Sequence, residues 1–481
     1  MDILSEIAMK AQEQSGVKIH RRNVERLLSA VKSVSDFWQI IDKADLTVPA
    51  ASSIVRILIE KNILFIDDKE NILLTQKGRD LTEELGIEAV YEHTCRACDG
   101  RGIPFYDDID LYRIFVRVAE NRPEPIQDYD QGAVTPETTI SRVLFLDSRG
   151  DLRGKEIMVM GAEDDLTGLA VALTRKAKRV VVLDIDERLI EFDKKIFKDF
   201  GIDNAEAIVW DLRNPFPDEW LGAFDVFITD PPETPSAFKA FTGRGIALLK
   251  GEGCAGYFGL TLRDSSLFRW QKFQEDLIKE FGVVITDIIQ DFNHYMNWKY
   301  HEKTKAARIA PVKRQPSEIW YRSAWYRIET LPGFKRWNEP ISDEVFYLDE
   351  VVDRYVGFFT PLYDDLDWDV HLDKLALKTD KQAFERIIYN LLSNACKYNI
   401  NDGKVEISLH ETLLSIRNSS YGVSHPERVF ERFYKESERG LGIGLHIVDK
   451  LCQSLKIDKT FILEERDVIV ALECKSIIHL P

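Results

Sequence analysis

The sequence predicts an α/β protein organised around a doubly wound, mainly parallel sheet. The first observation is an apolar run ending at Gly161, then a helical stretch, then a β-branched run ending at Asp184, which is the pattern of a βαβ unit. The second is that further short apolar runs alternate with helical segments up to Gly259. The third is that acidic residues close the first four predicted strands. Because ligands of such sheets bind beyond the carboxyl ends of the strands, these acids mark the predicted binding crevice.

The acids at the ends of the predicted strands favour a cationic ligand. In chain order they are Glu163, Asp164, Asp165, Asp184, Asp211 and Asp230. Like charges repel one another, so carboxylates gathered along one edge need a ligand that is partly cationic and rich in hydrogen-bond donors. The sequence therefore predicts acids that lie together and are not neutralised by neighbouring arginines or lysines.

The composition limits the function classes. The chain has 481 residues, enough for several domains, and a formal charge of −17, which argues against non-specific nucleic-acid binding. Its six cysteines are too few and too scattered for a disulfide framework. The N-terminal residues do not resemble a secretory signal, and no apolar stretch is long enough to cross a bilayer. A cytoplasmic protein without a membrane partner is expected.

Residues 1–92 are predicted to form a winged-helix-like domain. Helical apolar spacing covers residues 24–41, 50–61 and 77–85, and two short apolar runs flanking 67–71 predict a β-hairpin. Such a domain can bind DNA, but the segment 50–61, which would be the recognition helix, carries few cations to contact phosphates. A dimerisation or lid module is therefore the favoured interpretation. A homodimer is expected, and nucleic acid is not expected as a partner.

Cys95 and Cys98 lie in a predicted linker at residues 93–122. Two cysteines at this spacing supply half of a tetrahedral zinc site, and His93 is the one further ligand nearby. No second cysteine pair follows, so a complete zinc site within one chain is not expected. A structural turn and a site shared across a dimer both stay open, whereas redox chemistry would need a thioredoxin-like context that the sequence lacks.

Motifs within the first 340 residues resemble one enzyme family. They are Val134-Thr135-Pro136-Glu137-Thr138-Thr139, the acidic loop 161–166, Asp184-Ile185-Asp186-Glu187-Arg188, Thr229-Asp230-Pro231-Pro232-Glu233-Thr234 and Phe292-Asn293-His294-Tyr295-Met296-Asn297-Trp298. The set is similar to the nucleoside-binding pattern of aminopropyltransferases and class I methyltransferases. It resembles most closely the branched-chain polyamine synthases, or N(4)-bis(aminopropyl)spermidine synthases. The sequence departs from the family in one loop. The family loop reads Gly-Asp-Asp-Asp, whereas in this chain Ala162 and Glu163 stand between Gly161 and the aspartates Asp164 and Asp165.

This resemblance implies a class I methyltransferase-like Rossmann domain at residues 123–340 and the transfer of aminopropyl groups. The implied donor is decarboxylated S-adenosylmethionine, the acceptor is spermidine, and methylthioadenosine leaves. The nucleophile is a secondary amine that must lose a proton before it attacks, so a carboxylate, or a water held by one, must act as base. Asp164 and Asp230 are the candidates for that base. The implied catalytic residues are Asp164, Asp165, Asp230 and Glu233.

The same resemblance implies the binding residues. Asp184 would accept hydrogen bonds from the ribose hydroxyls, and Asp211 would accept one from the adenine amino group. The donor-binding set is Gly161, Glu163, Asp184, Asp186 and Asp211. The polyamine-binding set is Asp128, Tyr129, Tyr295 and Trp298, whose aromatic faces would suit a quaternary ammonium product. For any single aromatic residue in this set, packing in the core is the simpler interpretation.

The main alternative is a methyltransferase that uses intact S-adenosylmethionine. Asp230-Pro231-Pro232 is similar to the Asp-Pro-Pro-aromatic motif of amino-methyltransferases, in which an aromatic ring stacks on an extruded base. Here Glu233 stands where that ring would be, and a carboxylate suits a polyamine better than a base.

A second resemblance covers residues 346–481. A predicted helix ends with Asn390, Asn394, Lys397 and Tyr398 at helical spacing, a Phe-rich segment follows at 429–434, and Gly440, Gly442 and Gly444 open another helix. This order resembles the ATP-binding domain of sensor histidine kinases, an α/β sandwich of the GHKL type. The resemblance implies ATP binding, with Asn394 on magnesium, Asn390 and Lys397 on the phosphates, and Tyr398 stacked on adenine.

Two departures from the kinase pattern shape the expected role of this region. The family's adenine-reading Asp is replaced by Asn418, which can still accept a hydrogen bond from an adenine amino group. No phospho-acceptor helix is present, and His371 lacks the residues that usually follow such a histidine, so it is interpreted as surface. An ATP-sensing or relic domain that regulates the synthase is predicted. The alternative is a signalling ATPase or kinase-like protein with a polyamine-sensing domain.

Overall fold

The structure is a computed structural model that describes residues 2–90, 94–125, 131–263, 265–299, 301–339, 344–430, 444–464 and 466–479. The chain divides into two compact units, residues 1–340 and 341–481. Among the described helices, none is both long enough and apolar enough to cross a membrane.

The first unit contains a helical module followed by a large sheet with its helices. Its helices are α1 (Ile3–Ser15), α2 (Arg21–Val31), α3 (Phe37–Ala44), α4 (Val48–Glu60), α5 (Gln76–Glu84), α6 (Ile109–Ala119), α7 (Pro136–Ser148), α8 (Thr167–Leu173), α9 (Glu187–Asp199), α10 (Pro235–Phe238), α11 (Arg244–Leu248), α12 (Leu267–Glu275) and α13 (Lys305–Ile309). Its strands are β1 (Leu64–Ile66), β2 (Ile72–Leu74), β3 (Glu156–Met160), β4 (Arg179–Asp184), β5 (Ala205–Val209), β6 (Val226–Thr229), β7 (Ala255–Leu260), β8 (Val283–His294) and β9 (Arg322–Thr330).

The sheet confirms the predicted doubly wound topology. Its seven strands lie in the order β5-β4-β3-β6-β7-β9-β8. The first five are parallel to one another, and β9 is antiparallel to both of its neighbours, β7 and β8. From β3 the chain first moves outward through β4 and β5, then returns to the other side of β3 with β6. This reversal places the crevice of the fold at the carboxyl ends of β3 and β6. Gly161 ends β3 with a φ of 54°, and a Cβ there would lie 2.6 Å from the Phe241 ring.

The N-terminal module differs from its prediction in two places. Helix α1 (Ile3–Ser15) was not predicted. The helix expected at residues 24–41 is two helices, α2 and α3, because Asp36 accepts hydrogen bonds from the backbone N–H groups of Trp38 and Gln39 and starts a new helix. The predicted hairpin is present as β1 and β2. The module is anchored to the rest of the unit by the buried Arg263, which pairs with Asp42 at 2.7 Å.

The second unit is an α/β sandwich. Its helices are α14 (Leu348–Phe359), α15 (Lys381–Lys397) and α16 (Gly444–Leu455), and its strands are β10 (Glu344–Tyr347), β11 (Asp367–Leu372), β12 (Ala376–Thr379), β13 (Lys404–His410), β14 (Leu413–Ser419), β15 (Asp458–Glu464) and β16 (Asp467–Glu473). Five strands form a mixed sheet in the order β11-β13-β14-β16-β15, and the apolar sides of the three helices share one core with it. Residues 344–347 pair with β12 as strand β10, and α14 begins directly after them at Leu348.

Candidate active site at the carboxyl edge of the large sheet

A fully buried arginine organises the crevice. Arg142 projects from α7, which begins at Pro136 behind the capping side chain of Thr135. Its Nη1 lies 2.6 Å from Asp165 Oδ2, its Nη2 lies 2.9 Å from Asp230 Oδ2, and its Nε donates to Asn293 Oδ1 at 2.8 Å. The guanidinium also lies 4.6 Å from the Trp325 ring centroid, so an aromatic face covers it. Burial opposes the charge of Arg142, but the two carboxylates hold its pKa above the ordinary value.

Asp164 lies in the loop after β3 and has a backbone hydrogen-bond donor. Its Oδ2 accepts a hydrogen bond from the backbone N–H of Gly132 at 2.8 Å. Burial raises its pKa to about 7, and the negative charges of Asp184 and Asp230 add to this effect. A group with this pKa changes protonation state close to neutral pH, which is what general acid–base catalysis requires.

Asp184 lies at the end of β4 and has a similar environment. It is 7% exposed and accepts a hydrogen bond from the backbone N–H of Asp186 at 2.9 Å. Burial raises its pKa to about 6. Within the described part of the chain, neither Asp164 nor Asp184 forms an ion pair with a lysine or arginine, and their hydrogen bonds come from backbone N–H groups.

Asp186, which follows β4, and Asp211, which follows β5, are each paired with an arginine two residues further along. Arg188 donates from Nε to Asp186 Oδ1 at 3.0 Å, and Gln131 donates to Oδ2 at the same distance. Burial opposes ionisation of Asp186, but the Arg188 contacts outweigh it and hold its pKa below the usual range. Arg213 Nε lies 2.9 Å from Asp211 Oδ2.

Glu163 is directed into the protein. Its two carboxylate oxygens accept hydrogen bonds from the backbone N–H groups of Gly168 and Leu169, both at 3.0 Å, at the N-terminus of α8. It is fully buried, and burial raises its pKa to about 8. Its predicted role in binding the donor stays a prediction, although its hydrogen bonds hold the loop that carries Asp164 and Asp165.

Three further residues that the sequence predicts for the site are Tyr295, Glu233 and Trp298. Tyr295 is buried and donates its hydroxyl to Asp230 Oδ2 at 2.7 Å, so it presents a polar group rather than an open ring face. Glu233 accepts a hydrogen bond from the backbone N–H of Thr261 at 3.1 Å. Trp298 lies against Gly132, whose Cβ, if present, would be 2.7 Å from the indole Nε1.

The expectation of unpaired acids is wrong for three of the six acids, Asp165, Asp211 and Asp230. Asp165 and Asp230 share the guanidinium of Arg142, and Asp211 is paired with Arg213. Asp186 is likewise paired with Arg188. The structure nevertheless brings predicted acids together, because the charges of Asp184 and Asp230 both act on Asp164. Asp128 and Tyr129 lie outside the described residues, as do Gly440 and Gly442.

Arg142 and Asn293 are residues of the candidate site that sequence reasoning missed. Arg142 contacts acids that are 23 and 88 positions away, so no local spacing connects them. The available signal is a single arginine within the apolar run of α7, a position that is buried and must therefore be paired.

In the second unit, the predicted nucleotide residues lie on α15 and β14. Asn390 donates to the carbonyl of Arg386 at 2.8 Å, and Asn394 and Lys397 are half-buried on the same helix. Burial raises the pKa of the half-buried Tyr398. Asn418 is 6% exposed and donates its amide to the carbonyl of Ser419 at 2.8 Å. Gly444 is the first residue of α16.

The cysteine pair lies in a tight turn. Cys95 is exposed and its carbonyl accepts the backbone N–H of Asp99, while the N–H of Gly102 donates to Cys98 Sγ at 3.3 Å. Across the residues that the structure describes, no group of three or more potential metal ligands is found.

Two parts of this chain match models of known protein families. The model of the branched-chain polyamine synthase A C-terminal domain matches residues 110–353, and that of the histidine kinase-, DNA gyrase B-, and HSP90-like ATPase matches residues 379–473. The N(4)-bis(aminopropyl)spermidine synthase of Methanocaldococcus jannaschii is 45% identical over 71% of this chain and 98% of its own length. The synthase of Thermococcus kodakarensis is 45% identical over 70% of this chain and 96% of its own length.

A solved structure gives the same result. The branched-chain polyamine synthase from Thermus thermophilus, in complex with N4-aminopropylspermidine and 5′-methylthioadenosine, superposes with a TM-score of 0.66 and is 39% identical. The match covers 71% of this chain and 96% of that chain. Sequence and fold thus agree on the same group of proteins for the first unit.

Proposed function

Because this chain belongs to the branched-chain polyamine synthase family, we propose that its first unit transfers aminopropyl groups from decarboxylated S-adenosylmethionine to the central secondary amine of spermidine. The observation that carries the proposal is the group of carboxylates in this crevice: Arg142 pairs with Asp165 and Asp230, whereas Asp164 and Asp184 form no ion pair among the described residues. These two acids can hold a sulphonium nucleoside next to a polyamine, both of which are cationic.

The roles follow from the position of each acid. Asp184, with its Oδ1 fixed by a backbone N–H, is proposed to accept hydrogen bonds from the ribose hydroxyls of the donor. Asp164 is proposed as the base, because burial brings its pKa to about 7. Asp230 is held by Arg142 and Tyr295, and its remaining oxygen is proposed to orient the acceptor amine.

The chemistry is a displacement at carbon. The acceptor nitrogen forms a bond to the carbon next to sulphur, the carbon–sulphur bond breaks, and its electron pair leaves with methylthioadenosine. The proton of the nitrogen passes to Asp164. Proximity and alignment supply much of the acceleration, since the two substrates react as if they were one molecule.

The experiment is a product analysis with two donors. The purified full chain is incubated with spermidine and either decarboxylated or intact S-adenosylmethionine, and released nucleosides are separated by chromatography. The proposal expects methylthioadenosine from the decarboxylated donor. Methyl transfer from the intact donor, without methylthioadenosine, would support the methyltransferase alternative.

For the second unit we propose binding of ATP with magnesium as a regulatory signal. The described residues suit this ligand in type: Asn390, Asn394 and Lys397 lie on one helix, and Asn418 carries an amide oxygen that can accept a hydrogen bond. When bound, the nucleotide would supply phosphate groups and a metal ion to α15. Equilibrium dialysis of the full chain against ATP and magnesium tests this, and no binding would indicate a relic domain.

The N-terminal module is proposed to be a winged-helix-like lid or dimerisation domain. Its α3 is fixed to the sheet unit by Arg263, which pairs with Asp42 and Asp45. A module held by buried ion pairs to the catalytic unit suits a part of the enzyme better than an independent DNA reader. Light scattering of the full chain tests the homodimer.

A further inference from the structure

Arg142 does not have the contacts of a substrate-binding residue. Its side chain is fully buried, and its N–H groups are directed to four protein acceptors. These acceptors are Asp165, Thr167, Asp230 and Asn293. Arg142 therefore acts on the crevice through its electrostatic potential. This effect is large because a buried charge is screened little by solvent.

The reaction places two opposing demands on that potential. Carboxylates attract the polyamine, but the same negative charge keeps the proton on its amine. An amine that keeps its proton has no electron pair with which to attack carbon. A crevice with four acids and no cation would therefore bind the acceptor well and react with it slowly.

Resting on the proposed function, we propose that Arg142 is a positioning residue that limits the negative charge of the crevice so that the bound acceptor amine can lose its proton. It offsets part of the charge of Asp165 and Asp230 and leaves Asp164 and Asp184 to bind and accept the proton. The proton moves from nitrogen to a carboxylate, and no further reactant is needed.

Several charged or titratable groups face this arrangement. Asp164 and Asp165 come from the loop after β3, Asp184 from the end of β4, Asp230 from the end of β6 and Tyr295 from the segment after β8. Behind them lie Glu163 and the buried Asp193 of α9, which interact with each other and with Asp184. Arg122 is a further cation close to these groups. It donates to the backbone carbonyl of Asp164 and not to a carboxylate.

The test removes the charge and then restores it. Arg142→Gln is expected to lower the KM for spermidine about tenfold at fixed pH, lower kcat, and move the midpoint of the kcat–pH profile upward by about one to two units. Arg142→Lys, which keeps a charge but cannot bridge both acids, is expected to restore part of this shift. Calorimetry with spermidine and methylthioadenosine should show tighter binding to Arg142→Gln.

A milder variant tests the same idea if Arg142→Gln does not fold. Asn293→Asp keeps the shape of the side chain and adds one negative charge 2.8 Å from the Arg142 Nε. Asn293→Asp is expected to move the midpoint of the kcat–pH profile upward, by a smaller amount than Arg142→Gln. The control is Arg327→Gln, another buried arginine, which pairs with Asp151 before β3 and away from the crevice. It should lower the melting temperature without moving the profile or the KM.

Two results separate this inference from the proposed function. If wild-type chain releases no methylthioadenosine, the proposed function fails. If it does, but Arg142→Gln and Asn293→Asp lower kcat with an unchanged pH midpoint, or weaken spermidine binding, the inference about Arg142 is overturned.

Discussion

The inner acids Asp164 and Asp184 and the outer acids Asp186 and Asp211 lie at the same edge of the sheet but have different partners. The inner pair accepts hydrogen bonds from backbone N–H groups and has raised pKa values, chiefly because of burial. The outer pair is bound by Arg188 and Arg213. A carboxylate that is already paired gains little from a cationic ligand, whereas an unpaired buried one gains much.

The comparison teaches that position at a strand end does not by itself define a ligand-binding acid. Asp186 and Asp211 each have an arginine two residues further along the chain that contacts the carboxylate, whereas Asp164 and Asp184 do not. The predictions below test whether function follows this division.

The largest effect is expected from Asp164→Asn. Loss of the base should reduce aminopropyl transfer by about 10²–10⁴-fold. The folded-state pKa of Asp164 is raised to about 7, so its ionisation destabilises the fold as pH rises from about 4 to 7. The variant should therefore have a higher melting temperature than wild type at pH 8 and an equal one near pH 4. Retained activity, or a lower melting temperature at pH 8, would contradict the assignment.

Asp184→Asn should have the next largest effect, on donor binding. Two hydrogen bonds from ribose hydroxyls to a charged acceptor would become bonds to a neutral one, which should weaken methylthioadenosine binding about 10–100-fold. Isothermal titration calorimetry measures this directly. An unchanged Kd would mean that the ribose is held elsewhere.

Asp211→Asn serves as the matched comparison and should have a small effect. Because Arg213 already occupies both oxygens of Asp211, the substitution should change methylthioadenosine binding by about threefold or less. The same titration is used. A loss as large as that of Asp184→Asn would break the division between inner and outer acids.

The smallest effect is expected in the second unit. ATP with magnesium should raise the melting temperature of that unit by about 2–4 °C, and Asn394→Ala should remove this shift. His371→Ala is the control, since that side chain is 79% exposed on β11. If the nucleotide shift survives in Asn394→Ala, the magnesium role of Asn394 is wrong.

Much of the fold followed from local patterns in the sequence. The runs ending at Gly161 and Asp184 predicted β3 and β4, because buried parallel strands are continuous and apolar. The break between α2 and α3 was missed because apolar spacing continues across it while Asp36 caps the second helix.

The site was predicted in its acids but not in its cation. The acids follow strands and can be read in order, whereas Arg142 reaches Asp165 and Asp230 only after α7 packs on the sheet. The ion pairs of Asp186 with Arg188 and of Asp211 with Arg213 depend on side-chain conformation, which residue spacing does not determine.

The most direct test of the account is mass spectrometry of the products that the purified chain makes from spermidine and decarboxylated S-adenosylmethionine, alongside Asp164→Asn. The account predicts one and two aminopropyl additions on the central nitrogen, with matching release of methylthioadenosine, and almost none from the variant. Additions at the terminal nitrogens, or equal product from the variant, would contradict it.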